Sequence, residues 1–247
     1  MRSAADAEVD GVRVHAFEVP TDGPGGGEED GTLRWDSTTL VLVEAYAGGR
    51  TGLGYTYGDV SVAAFVESAL APAVRGADAL APPAAWERMF AAIRNAGRPG
   101  AGAMAVSAVD VALWDLKAKL LGLPLFRVLP AFHDRVPVYG SGGFTNYPLD
   151  RLAGQLAGWV GQGIPRVKLK VSRRPDEDPR RLTAVRDAIG DRAELFADAN
   201  EARSRPASQV SSRGAREEES RGPPGPLPPV AAGGRDGQGV SGGSWPG

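Results

Sequence analysis

Two lysines, Lys168 and Lys170, stand one residue apart in the run Arg166-Val-Lys-Leu-Lys-Val171, and the run Phe196-Ala-Asp-Ala-Asn200 follows them. In a strand, residues two apart project from one face. Both ammonium groups then point one way, while Val167, Leu169 and Val171 point the other. Only 4 of the 28 basic residues are lysine, so two of them on one strand face are not casual surface filler. Chemistry suited to this pattern is proton transfer. A lysine becomes a usable base when its pKa falls toward neutrality, and a second ammonium alongside pushes it that way. Two plainer readings fit the fragments taken singly. Val-Lys-Leu-Lys-Val also describes an amphipathic edge strand with one wet face, and Asp-Ala-Asn a strand-to-loop turn.

The elements that must position these residues follow from periodicity. Val136–Tyr139 reads as a strand, and Leu149, Leu152, Leu156, Trp159 and Val160 lie on one face of a helix ended near Gly163. Arg166–Val171 is the lysine strand. Asp178-Pro179 offers an N-cap and a first-turn proline, Leu182, Val185 and Ile189 form an apolar face, Gly190 stops the helix, and Glu194–Ala197 is the next strand. Strand, helix, strand, helix, strand is parallel β/α grammar. Helices cover one face of such a sheet, so the lysines belong on the other, at the mouth of a barrel.

Upstream the grammar differs. Val12–Val19, Thr38–Tyr46 and Gly52–Tyr57 read as strands, the last two joined by a Gly48-Gly49 turn as a hairpin. The intervening Thr21–Trp35, with its Asp-Gly-Pro-Gly-Gly-Gly-Glu-Glu-Asp core, reads as a mobile loop that cannot pack. Its glycines lack the lysine and hydroxyl residue of a phosphate loop. Helical patterns cover Val60–Val74, Ala84–Asn95 and a long stretch marked by Val106, Val109, Leu113, Leu116 and Leu120. His15 falls in the first strand and His133 in the connection to the β/α region, and both read as structural or exposed.

Composition narrows the partners. A net charge of −2 supplies no basic field for nucleic acid or an anionic membrane. With no cysteine, disulfides, zinc ribbons and thiol nucleophiles are excluded, so a metal would be held by oxygen ligands or the two histidines. Hard cations are the natural candidates. No apolar stretch approaches a membrane span, and the N-terminus lacks a signal-peptide core, so a cytoplasmic location is expected.

Across residues 11 to 202 the chain resembles the mandelate racemase and muconate-lactonising group of the enolase superfamily. The resemblance rests on Ala112-Leu-Trp-Asp-Leu-Lys-Ala-Lys-Leu-Leu-Gly-Leu-Pro124, the Lys168-Leu-Lys170 strand end and the Asp198-Ala-Asn200 strand end, in that order after an α+β unit. It implies an α+β capping domain over residues 1–130, then the first three βα strands of a modified TIM barrel over 131–202, with Thr21–Trp35 as a lid over the barrel mouth. The implied reaction is abstraction of the proton α to a carboxylate, the resulting enediolate being stabilised by a divalent metal, here Mg2+. By resemblance Lys170 is the base. Lys168 contacts the substrate carboxylate and depresses the pKa of its neighbour, Asp198 is a magnesium ligand supported by Asn200, and Ser141 in Tyr139-Gly-Ser-Gly-Gly143 lines the substrate pocket. The implied partner is a small hydroxy or sugar acid handled by a racemase, epimerase or dehydratase, with homo-oligomers expected in the full-length family.

The resemblance stops where the family's remaining metal carboxylates and opposite-face acid or base are due. From Arg203 to Gly247, 24 of 45 residues are Gly, Pro or Ser, without apolar period. This segment is expected to be a disordered tail, either natural or translated out of frame. An incomplete barrel of this kind is expected to be inactive as it stands. The alternative function is a non-catalytic fragment or interaction protein that keeps the capping domain.

Overall fold

A computed structural model describes residues 7–130, 132–133 and 135–200, together with the backbone of 215–217. The first unit is a three-stranded antiparallel sheet in the order β1-β4-β5, made of β1 (Gly11–Pro20), β4 (Ser37–Ala47) and β5 (Arg50–Tyr57). Gly48 and Gly49 turn β4 into β5 with φ of 55° and 74°, the positive values a two-residue hairpin turn requires. Behind the sheet lie α1 (Ser61–Phe65), a π-helical turn Val66–Leu70, α2 (Ala71–Val74), α3 (Pro82–Ala92) and α4 (Ala101–Leu121). Alternation in β4 sends Val41, Val43 and Ala45 inward, where they join Val109, Leu113 and Leu116 of α4 in one buried cluster. The helix comes this close because β5 presents glycines to it. A Cβ at Gly54 would stand 2.1 Å from the carbonyl oxygen of Ala108, and one at Gly52 at 2.1 Å from that of Ala112.

After the short α5 (Leu125–Val128), the second unit is a parallel sheet in the order β6-β7-β8-β9, with β6 at Gly140–Ser141, β7 at Arg166–Lys170, β8 at Glu194–Asp198 and β9 at Ala215–Glu217. Helices α6 (Leu149–Gly161) and α7 (Asp178–Ile189) are the crossovers. Val167 and Leu169 are fully buried against Leu152, Leu156 and Val185, so the outward face of β7 is the greasy one. This is a capping domain followed by part of a β/α barrel. Among the described residues no helix is long and apolar enough to cross a membrane.

Three expectations need correction. Val136–Tyr139 is not a strand: pairing begins at Gly140, where a Cβ would lie 2.4 Å from the Trp159 ring, so close helix packing selects the glycine stretch over the alternating valines. Asp178 is the first residue of α7 and not its cap; its carboxylate instead accepts the Ser172 N–H at 2.9 Å. Thr21–Trp35 does pack. It forms the small ribbon β2 (Glu28–Glu29) and β3 (Arg34–Trp35) and is held by polar groups where apolar ones are lacking. Asp30 Oδ1 accepts the N–H groups of Thr32 and Leu33, both at 2.7 Å, and Asn146 Nδ2 donates to the Gly27 carbonyl at 2.8 Å. Of the tail from 203 onward, only the strand Ala215–Glu217 is described, paired in parallel with β8; the expectation of disorder otherwise lies outside the described residues.

Candidate active site

Parallel pairing sets the rows of the site. Ser141 is in register with Lys168 and Lys168 with Phe196, while Lys170 is in register with Asp198. Register partners in a parallel sheet face the same way, so the alternation that buries Val167 and Leu169 turns these residues to the inner face. There the Lys170 ammonium donates to Asp198 Oδ2 at 2.7 Å, and the Lys168 ammonium lies 3.1 Å from the same oxygen. Asp198 Oδ1 accepts the Asn200 N–H at 2.9 Å. The three charged side chains therefore meet at the C-terminal ends of adjacent strands. Ser141 is exposed at the end of β6 beside Lys168, and Asn200 meets the cluster through its backbone N–H.

Charge balance follows from this contact. Burial alone pushes the Asp198 carboxyl up, but the hydrogen bonds from Lys170, the Asn200 N–H and Lys168 outweigh it and hold the pKa at about 2. Burial likewise pulls the Lys168 ammonium down, yet the hydrogen bond and charge of Asp198, with Tyr139, outweigh that and raise it. Burial is the largest single influence on Lys168, and the Asp198 and Tyr139 contributions together reverse it.

Sequence reasoning overlooked Tyr139, whose hydroxyl is 3.5 Å from the Lys168 Nζ and whose ring neighbours Phe196 at 6.1 Å. It stands directly before β6, outside the paired strand. Backbone geometry at the strand ends is also unusual. Ser172 and Asn200 are the two non-glycine residues with positive φ among those described, at 77° and 50°. They follow β7 and β8 directly behind the charged cluster, where left-handed conformations turn the chain away from the mouth.

Among the described residues no three carboxylate or imidazole groups converge on a point that could hold a metal ion. Asp198 is the one carboxylate among the described residues paired with the two lysines, and both its oxygens already accept hydrogen bonds. These residues alone do not fit a magnesium ion, which takes oxygen ligands in near-octahedral array.

Comparison with known proteins follows the same outline. Residues 32–129 match the family model for the mandelate racemase / muconate lactonizing enzyme N-terminal domain, and residues 151–217 match that for the enolase C-terminal domain-like region. A mandelate racemase/muconate lactonizing enzyme-like protein from Rubrobacter xylanophilus superposes with a TM-score of 0.75 at 67% identity, over 78% of this chain and 53% of that one. L-talarate/galactarate dehydratase from Salmonella typhimurium, liganded with magnesium and L-lyxarohydroxamate, superposes with a TM-score of 0.71 at 30% identity, over 81% of this chain and 54% of its own. In sequence, 3,6-anhydro-alpha-L-galactonate cycloisomerase from Streptomyces coelicolor is 39% identical over 158 residues, 62% of this chain and 44% of that protein. The chain thus spans about half the length of the relatives it matches. Both family models in chain order, the capping sheet with its glycine-seated helix, and a parallel β/α sheet make the assignment: the chain belongs to the mandelate racemase and muconate-lactonising group of the enolase superfamily.

Proposed function

We propose that residues up to Asn200 carry the base half of an active site that removes the proton α to the carboxylate of a hydroxy or sugar acid. The observation that carries this reading is the convergence of Lys168, Lys170 and Asp198 on one oxygen at the C-terminal strand ends. Lys170 accepts the α-proton. The ammonium paired with Asp198 has no lone pair, so it must first leave that contact and give a proton to solvent, and Lys170 takes the α-proton as the neutral amine. Lys168 keeps its charge and pairs with the substrate carboxylate, and Ser141 and Asn200 border the same space. Asp198 is the carboxylate this half would offer a divalent cation, and alone it does not hold one. The substrate class is supported by the relatives, which include a talarate/galactarate dehydratase and an anhydrogalactonate cycloisomerase.

The test is a chimera. Residues 1–200 are joined to the second half of the barrel of the 67%-identical Rubrobacter protein, and exchange of the substrate α-proton into deuterated water is followed over a panel of sugar and hydroxy acids. We expect magnesium-dependent exchange that falls by about a thousandfold or more in Lys170→Ala, the order of a missing general base. Undiminished exchange in that variant would remove Lys170 from the mechanism.

A further inference from the structure

We propose that Glu29 is a latch that holds the β2–β3 lid docked on the barrel rim in the resting protein, without any ligand. Glu29 is only 4% exposed, although it sits in a glycine-rich segment between two strands of the capping sheet. A buried carboxylate is tolerated only when paired and hydrogen-bonded. Here the partners all come from the barrel. Thr145 Oγ donates to Glu29 Oε1 at 2.9 Å, Arg174 Nη1 donates to the same oxygen at 3.0 Å, and Arg173 Nε lies 3.6 Å from Oε2. The Glu29 carbonyl also accepts the Thr145 N–H at 2.7 Å. One side chain thereby bridges the loop after β6, which carries Thr145, and the loop after β7, which carries Arg173 and Arg174.

The docked position is set by a second, independent contact two residues on. A Cβ at Gly31 would stand 2.5 Å from the carbonyl oxygen of Ala199 and 2.9 Å from that of Val171. These are the residues that directly follow Asp198 and Lys170. The lid tip therefore rests on the backbone at the ends of β7 and β8, and only a residue without a side chain fits there. Arg173 also donates to the Thr32 carbonyl at 3.2 Å, and Trp35 meets Phe144 edge-on at 5.5 Å. The latch and the seat fix the lid directly behind the Lys170–Asp198 pair.

Two variants of the 247-residue chain test this by amide hydrogen exchange, read peptide by peptide. Glu29→Gln keeps the shape and an acceptor for Thr145 but loses the charge opposite both arginines. Gly31→Ala leaves Glu29 intact and removes the seat. We expect exchange over residues 27–35 to speed up by roughly tenfold or more in each, the scale of a lost charge-assisted hydrogen bond. Strand β4 at 41–47 and helix α7 should keep the protection seen in the parent chain. Unchanged exchange over 27–35 in Glu29→Gln overturns the latch. So does a rise that spreads equally through β4, which would make Glu29 an ordinary stabilising residue of the cap. No catalytic measurement enters, so this result stands apart from that of the chimera.

Discussion

Asp198 lies between two ammonium groups, and its titration reports whether they truly converge. Its folded pKa of about 2 lies below the ordinary value of 3.8. The resulting stabilisation is fully present above pH 4 or so, and is lost as pH falls toward 2. At neutral pH it amounts to about 2 kcal/mol, an upper figure because the side chain is 22% exposed and solvent screens part of it. Lys168 works with the opposite sign: its raised pKa gives stability present below 10.5 and lost as pH rises through the folded value. Following the Asp198 carboxyl carbon by NMR should give a midpoint near 2, moving up in Lys170→Ala. A midpoint at the ordinary carboxylate value would mean that the lysines do not reach it. Much of this site was legible from residue types and spacing alone. Two-residue spacing on one strand face predicted that Lys168 and Lys170 point together, and parallel order predicted Asp198 beside them. Tyr139 was not legible, because a tyrosine next to a glycine run carries no signal until the strand's true start is known.

Glycine acts oppositely in β5 and in α6, and the difference is measurable. At Gly54 the added Cβ would collide with backbone atoms of α4, 2.1 Å from the Ala108 oxygen and 2.6 Å from the Ala112 nitrogen. Backbone cannot swing aside as a side chain can, so strand and helix would have to separate. Gly54→Ala should cost about 3 kcal/mol in urea unfolding. Gly154, within α6, has nothing within 4 Å of an added Cβ. Gly154→Ala should therefore stabilise by about 1 kcal/mol, through helix propensity and a less disordered unfolded chain. If the two substitutions changed stability in the same direction, the close seating of α4 on β5 would be wrong. Elements with a repeating apolar face, such as α4 and α7, were readable because burial imposes the period. Strand β6 was misplaced by the alternation of Val136 and Val138, since what fixes β6 is the room Trp159 leaves above Gly140. The lid was misread for a related reason. Asp30 accepts the N–H groups of Thr32 and Leu33, a local Asx-type turn, but Glu29 bonds to residues more than a hundred positions away and leaves no local pattern.

At the scale of the whole chain, the described residues would offer the proposed reaction a base, Lys170, and a carboxylate, Asp198, with no facing acid among them. Stabilising the developing enediolate charge is the larger share of catalysis in such a reaction. The 247-residue chain with added magnesium should therefore show little or no α-proton exchange over a panel of sugar and hydroxy acids. Saturable exchange that vanishes in Lys170→Ala would show that the half-barrel suffices. The pairing of β1 with β4 has a separate consequence, for the order in which the chain folds. Their register runs from Gly11 opposite Tyr46 to Pro20 opposite Ser37, so the lid is a loop closed wholly within the cap. Closing so short a loop costs little entropy, and antiparallel hairpins form within microseconds, whereas parallel strands wait on their helical crossovers. The surface that receives the lid, Thr145 and Arg173–Arg174, is synthesised long after the lid itself. A nascent chain therefore completes its capping sheet with Glu29 still in water, and burying that carboxylate becomes one of the last steps, taken only when the βα loops exist to meet it.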